Sequence, residues 1–160
     1  MDFWNDNNKN HKAAVAGKFY PGTKTALENK LEKLFAEVKK ETRNTHLLQA
    51  LISPHAGYVF SGKVAASAFN KIPEKADYQH IFVLASSHQY HFNGAAIFTQ
   101  GNYETPLGEI QVDKKLGRIL EKTSDIFKNK NEAHEHEHSL EVQLPFLKTP
   151  ENLYNLLLLM

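Results

Sequence analysis

The chain has 160 residues, of which 41% are hydrophobic and 23% charged, a composition typical of one globular domain with its own core. A net charge of +1 gives no indication of binding to nucleic acid or an anionic membrane, and the absence of cysteine excludes disulfides and thiolate metal ligands within the chain. The polar start lacks the apolar core of a signal peptide and no apolar run is long enough to span a bilayer, so we expect a soluble cytoplasmic protein.

The first elements in chain order are a polar tail and an amphipathic helix. Residues 1–12, rich in Asn, Asp and Lys, predict a disordered tail, and residues 13–160 are expected to form one domain. After the Pro-Gly turn at 21–22, one helical stripe carries apolar side chains, and Thr23 or Thr25 can cap the start of this helix. The stripe consists of Leu27, Leu31, Leu34, Phe35 and Val38.

Two nearly continuous apolar runs, 47–53 and 80–86, predict strands buried on both faces. Between them, Ser61 can cap a helix that extends to about Lys71. A strand, a helix and a second strand over this length predict a βαβ unit with parallel strands. The fold class that follows is α/β, with a parallel or mixed central sheet flanked by helices.

The remaining elements follow from shorter signals. Residues 94–99 predict a third strand, 102–113 a hairpin or irregular excursion, and Asp113 the cap of another helix. The stretch from His138 to Lys148 predicts a helix that is kinked or ended near Pro145. The final run, 153–160, predicts a buried strand, which either lies at a protected edge or belongs to a longer domain.

Both apolar runs of the βαβ unit end in Ser-x-His. In a parallel sheet, ligands bind beyond the carboxyl ends of the strands, so His55 and His88 are expected to share one rim, where they could hold a transition metal. The alternative is that each histidine is an ordinary loop residue. Gly57 and Gly62 permit a tight loop here, and the hydroxyls of Tyr58 and Ser61 are candidates for orienting a bound molecule.

Three further histidines cluster in the stretch AHEHEHS. His134 and His136 are most simply part of a solvated charged loop, with an adventitious surface metal site as the alternative. Ser139 can cap the helix that follows. His138 and Glu141 suit a second role, in which the carboxylate fixes the tautomer of an active-site imidazole.

Five ordered motifs, AGKFYPG, SPHAGYVFSG, ASSHQ, ETPLGEIQVD and EHSLEVQLPFL, resemble the Memo family, also known as AmmeMemoRadiSam system protein B. The resemblance runs from about Ala16 to Phe146 and corresponds to the N-terminal portion of the family. It implies a fold like that of the LigB subunit of class III extradiol dioxygenases, which use non-haem iron. It also implies a metal crevice, for iron or copper, that includes His55 and His88, with His138 and Glu141 beside it.

Three hypotheses follow from the resemblance. In the first, the protein is a metal-dependent oxidoreductase: His55 and His88 hold Fe(II), His138 acts as acid/base and Tyr58 positions a substrate. In the second, it is a non-enzymatic module that binds a phosphopeptide in the same crevice, near Gly57 and Ser61. In the third, the chain is an inactive or oligomer-dependent portion of a longer domain. Partners with an AMMECR1 domain or a radical-SAM domain are expected from the family association.

Overall fold

The computed structural model describes residues 9–38, 48–73, 76–147 and 155–160. Its helices are α1 (Lys24–Ala36), α2 (Tyr58–Phe69), α3 (Lys114–Thr123), α4 (Asn131–Glu135) and α5 (Leu144–Leu147), the last preceded by a 3-10 turn at Glu141–Gln143. Its strands are β1 (His80–Leu84), β2 (Ala95–Ile97), β3 (Tyr103–Thr105), β4 (Gly108–Ile110), β5 (Phe127–Asn129) and β6 (Asn155–Leu159).

The central sheet has four strands in the order β1-β6-β2-β5. β1 and β6 are parallel, with Phe82 opposite Leu157 and Leu84 opposite Leu159, and β2 and β5 are also parallel. β6 meets β2 antiparallel at Ile97 and Leu159, so the sheet is mixed. Helices flank this sheet, and the predicted α/β class with a parallel or mixed central sheet is confirmed.

Successive side chains of the sheet serve two different cores, as the alternation of a strand requires. Leu156 and Leu158 belong to the main core with α1, α2 and residues 140–147, and Ile81 and Val83 pack against it. Leu157 and Leu159 face the other way and form a smaller core with Ile97, onto which Leu116 and Leu120 of α3 pack. The predicted buried strand at the end of the chain is therefore an interior strand of the sheet, within the described residues 155–160.

Several sequence predictions are confirmed. The amphipathic helix is α1, whose Leu27, Leu31 and Leu34 are buried. The third strand is β2, and the excursion at 102–113 is the antiparallel hairpin β3–β4. Asp113 caps α3, because its side chain accepts a hydrogen bond from the backbone N–H of Leu116.

The prediction of a strand at 47–53 is wrong. Residue 47 lies outside the described residues, and 48–53 form no strand. Instead, the hydroxyl of Tyr78 bonds to both the N–H and the C=O of Leu48, and Ile52 is 97% exposed. An apolar run becomes a strand only if a neighbouring strand satisfies its backbone, and the neighbour of β1 is β6. The βαβ unit therefore does not form as predicted.

Element boundaries also differ from the predictions. Helix α2 begins at Tyr58 with Gly57 at its N-cap, three residues before Ser61. The stretch after His138 forms the 3-10 turn and α5 rather than one helix, with Lys148 outside the described residues. Strand β5 and helix α4 have no counterpart in the sequence predictions.

The predicted disordered tail is described only from Lys9 onward. His11 is buried, its N–H donates to the carbonyl of Asn102, and its ring stacks on Tyr103 at a centroid distance of 4.2 Å. Residues 9–12 are thus attached to the domain. Among the described residues, no helix has the length and apolar character needed to cross a membrane.

Candidate metal centre

Three histidines from three separate segments converge at one end of the sheet. Their ring centroids are 5.2 Å apart for His55 and His88, 5.8 Å for His55 and His138, and 5.0 Å for His88 and His138. One ring nitrogen from each lies within 4.8 Å of the other two. The predicted convergence of His55 and His88 is therefore observed, and His138 is a third member of the cluster.

The loops that carry these histidines are fixed by side chains near them. The hydroxyl of Ser61 donates to the carbonyl of Ala56 at 3.0 Å, and the Gln143 amide donates to the carbonyl of Pro54 at 3.0 Å, which holds the loop on both sides of His55. The hydroxyl of Ser139 donates to the carbonyl of Ser86 at 2.7 Å and so ties the loop after β1 to the residues after His138. The cluster therefore lies on braced backbone.

Glu137 is the group that orients two of the rings. This carboxylate is buried, and its Oε1 is 3.0 Å from His88 Nδ1 and 3.2 Å from His138 Nδ1. Its oxygens also accept hydrogen bonds from the backbone N–H groups of His88, His138 and Ser139. Because Nδ1 of both rings faces the carboxylate, Nε2 of each is left to bind a ligand.

The electrostatics favour a charged carboxylate at Glu137 and a neutral imidazole at His138. Burial alone would raise the pKa of Glu137, but hydrogen bonds from the amides of His88 and Ser139 and from the His88 ring lower it to about 2. The pKa of His138 is lowered, first by burial and then by the neighbouring His88 and His55, against the opposing effect of Glu137. A neutral imidazole with a free ring nitrogen is the form that binds a metal ion.

The structure places Glu141 away from the ring of His138. Its Oε2 accepts the N–H of Ala14 at 2.7 Å, and its Oε1 accepts the N–H of Val15 at 3.1 Å and the hydroxyl of Tyr20 at 2.6 Å. These bonds anchor the N-terminal segment to the turn before α5. The carboxylate beside the His138 ring is that of Glu137, four residues earlier.

Gly57, Tyr58 and Ser61 follow His55 in the chain, at the N-cap and in the first turn of α2. Tyr58 is buried and its hydroxyl donates to the carbonyl of Val142 at 2.9 Å, while the Ser61 hydroxyl is engaged by Ala56. Gly57 lies against the backbone of Phe19, whose carbonyl oxygen would be 3.3 Å from an added Cβ. Contact with a bound molecule stays a prediction for these three residues.

His134 corrects the prediction of a solvated loop at AHEHEHS. It is fully buried in α4; its Nδ1 accepts the hydroxyl of Tyr103 at 2.8 Å, and its Nε2 faces the carbonyl of Ala96 at 3.3 Å. Burial lowers its pKa to about 4. His136, by contrast, is exposed as expected.

Glu137 was missed by the sequence interpretation because it lies between histidines in a strongly charged stretch, the usual composition of a solvated loop. The available signal was its position directly before His138 and the apolar run that follows. A buried carboxylate next to a histidine pair is typical of a metal centre, in which ligating imidazoles donate their second N–H to a carboxylate.

The residues present fit a transition metal. Three imidazoles are a common ligand set, and bonds of about 2.1 Å to one ion require ring nitrogens about 3 to 3.5 Å apart. The observed upper limit of 4.8 Å means that the ring nitrogens must approach by at most about 1 to 2 Å. The rings of His55 and His88 are solvent-accessible. Because Glu137 holds the ring of His88, the ring of His55 has the more room to turn.

The geometry defines a class of protein: an α/β domain with a three-histidine cluster, supported by a buried carboxylate, at the rim of its central sheet. Residues 11–157 match the model of the family described as "Memo-like protein", and the chain belongs to that family. The family resemblance read from the five motifs is confirmed.

Curated relatives agree. The chain is 41% identical over 135 residues to a MEMO1 family protein of Thermococcus onnurineus, an alignment that covers 84% of this chain and 46% of the relative. It is 38% identical over 137 residues to a MEMO1 family protein of Pyrococcus furiosus, covering 86% and 46% respectively. A MEMO1 family protein of Methanopyrus kandleri is 33% identical over 141 residues, covering 84% and 50%. The chain spans about half the length of these relatives.

Proposed function

We propose that the chain binds one transition-metal ion through His55, His88 and His138. The observation that supports the proposal is the buried Glu137 carboxylate, which faces Nδ1 of both His88 and His138 and leaves the two Nε2 atoms free beside the ring of His55. A purely structural role for these histidines does not require a shared carboxylate or converging ring nitrogens.

The finer proposal is an oxidoreductase related to the extradiol dioxygenases. Fe(II), or alternatively copper, would supply redox chemistry toward oxygen-containing molecules when bound. His88 and His138 would act as ligands with orientation fixed by Glu137, and His55 as the more mobile third ligand. The role of His138 as acid/base requires its Nε2 and is therefore an alternative to its role as ligand.

A phosphopeptide-binding module is the less supported candidate. The hydroxyls expected to contact such a peptide, those of Tyr58 and Ser61, are engaged by Val142 and Ala56 within the fold. A cytoplasmic location, a homo-oligomer and partners with AMMECR1 or radical-SAM domains stay predictions from the sequence and the family.

Metal content tests the proposal. The full chain is loaded anaerobically with Fe(II), desalted and analysed for iron, next to His55→Ala, His88→Ala and His138→Ala. We expect about one equivalent in the native chain and a loss of at least about tenfold in affinity in each variant. His136→Ala is the matched control, since His136 is exposed and lies two residues from His138.

Two results would overturn the metal proposal: the native chain retains no iron or copper, or the three variants retain as much as His136→Ala. Oxygen consumption by the loaded native chain, measured with a catechol, then tests the oxidoreductase proposal separately. Metal binding without oxygen consumption with any catechol would contradict the oxidoreductase proposal and leave the metal proposal intact. Binding of a phosphotyrosine peptide in the presence of chelator would favour the binding module instead.

A further inference from the structure

Strand β1 has an open edge among the described residues. It pairs with β6 on one side, where the N–H of Ala85 donates to the carbonyl of Leu159 at 3.0 Å. Along a strand, the backbone N–H and C=O groups of successive residues point to opposite sides. Those of Val83 and Ala85 therefore point toward β6, and those of Phe82 and Leu84 point away from it. A row of unpaired N–H and C=O groups is a template for another strand.

A cleft lies beside this edge. Residues 48–51 and Ser53 form its far wall and β1 its near wall, and the space between them has a volume of about 410 Å³. Phe69, Ile72 and Leu147 from the main core line it as well. The cleft thus places the open edge of a strand beside a partly apolar lining, the combination that an added β-strand requires.

The sheet face next to the cleft is uncovered. Leu157 and Leu159 are buried in the smaller core, but their partners on β1, Phe82 and Leu84, are 51% and 75% exposed. Ile52, which lies in sequence between two lining residues but does not itself line the cleft, is 97% exposed. The apolar layer that α3 completes over β6 is therefore incomplete over β1, and exposed apolar surface of this kind marks an interaction site.

We propose that the cleft accepts an extended apolar strand that pairs with the open edge of β1. This strand is supplied by a polypeptide that corresponds to the part of the family relatives that this chain does not match. The relatives contain about as much chain again as this chain matches, with coverage of 46% in the Thermococcus onnurineus protein. A second copy of this chain fits less well, because its own β1 carries β6 on one side and would bring that strand against residues 48–53.

Synthetic peptides test the proposal. Overlapping peptides of about 12 residues, covering the part of the Thermococcus onnurineus relative that this chain does not match, are titrated with the full 160-residue chain, and binding is measured by fluorescence anisotropy. We expect binding by one run of neighbouring peptides. Hydrogen exchange on the unsubstituted chain then checks the mode of binding, since strand pairing protects the amides of Phe82 and Leu84.

The matched variants are Phe82→Pro and Phe82→Ala. Proline removes an N–H that points into the cleft and leaves the ladder to β6 intact, whereas alanine trims the side chain and keeps the N–H. We expect Phe82→Pro to weaken binding at least about tenfold and Phe82→Ala less than about threefold. Circular dichroism verifies that the proline variant folds. If the variant does not fold, hydrogen exchange on the unsubstituted chain still tests the proposal.

Four results would overturn the proposal. They are no binding by any peptide, equal binding by the proline and alanine variants, peptide binding without protection of Phe82 and Leu84, and self-association of the chain that Phe82→Pro abolishes. The last result would identify a second copy as the occupant.

Discussion

Glu137 holds His88 at two points: one carboxylate oxygen accepts the backbone N–H of His88 at 2.5 Å, and the other is 3.0 Å from its ring Nδ1. The residue and its imidazole are therefore positioned by the same buried group. Since this carboxylate also contacts the ring of His138, a change at Glu137 affects two proposed metal ligands at once.

The first prediction concerns this carboxylate. Glu137→Gln keeps the size of the side chain but replaces one acceptor oxygen with an NH₂ group and removes the charge, so it can no longer accept from both ring Nδ1 atoms and the three amides. We expect the affinity for Fe(II) or Co(II), measured by equilibrium dialysis, to fall about 10- to 100-fold.

Glu135→Gln is the control for Glu137→Gln. Glu135 lies two residues away, is exposed, and loses the same charge in the substitution. Equal affinities in the two variants would show that Glu137 does not orient the ligands.

The second prediction compares two buried tyrosines. The hydroxyl of Tyr20 donates to the Glu141 carboxylate at 2.6 Å, while that of Tyr58 donates to a neutral carbonyl at 2.9 Å. We expect Tyr20→Phe to lower the free energy of unfolding by about 1.5 to 3 kcal/mol and Tyr58→Phe by about 1 kcal/mol, because hydrogen bonds to a charged group are stronger. Urea denaturation checks both values, and a larger loss for Tyr58→Phe would contradict the ranking.

The third prediction uses two glycines with positive φ. Gly17, at φ 79°, has no neighbour within 4 Å of an added Cβ, whereas at Gly94, at φ 100°, an added Cβ would collide with the carbonyl of Ile126. We expect Gly17→Ala to destabilise the fold by about 1 kcal/mol, from the backbone conformation alone. Gly94→Ala should cost at least about 2 kcal/mol more, because the turn into β2 must move. Thermal unfolding that ranks the two variants equally would contradict this.

The fourth prediction is an acid-induced loss of stability through His134. Burial lowers its pKa from 6.5 to about 4 in the folded chain, so between these pH values the unfolded chain binds more protons and stability falls as the pH falls. The contribution of this group reaches up to about 3 kcal/mol near pH 4 and does not grow further below it.

His134→Asn tests that contribution. The asparagine oxygen can still accept the hydroxyl of Tyr103, but the side chain does not titrate. We expect the stability of this variant, measured by urea denaturation, to decline less between pH 6.5 and 4 than that of the native chain. His91→Asn, at an exposed position, is the control. An unchanged decline in His134→Asn would assign the acid sensitivity to other groups.

Sequence periodicity predicted the elements whose signals are local. The stripe of α1 and the Asp113 cap of α3 depend on residues a few positions apart, and both are present. It failed at 47–53, where strand formation depends on a partner elsewhere in the chain. Apolar composition indicates that this segment prefers burial; it does not say which strand lies beside it.

The candidate site shows the same difference between local sequence signals, which were predicted, and long-range contacts, which were not. His55 and His88 were predicted to converge because each follows an apolar run near the sheet rim, and they do lie side by side. The burial of Glu137 and His134 was not predicted, since both belong to a charged stretch. Their burial depends on contacts with His88 and with Tyr103, which are distant in the sequence.

The position of β6 constrains when the sheet can form. This strand lies between β1 and β2, and the described sheet joins these two strands only through it. During synthesis β1, β2 and β5 leave the ribosome before residues 155–159, so until then the hairpin β3–β4, the β2–β5 pair and the helices are the structures available to the chain. We therefore expect slow, late closure of the sheet, with the edges of β1 and β2 exposed to chaperones or to other chains in the interval.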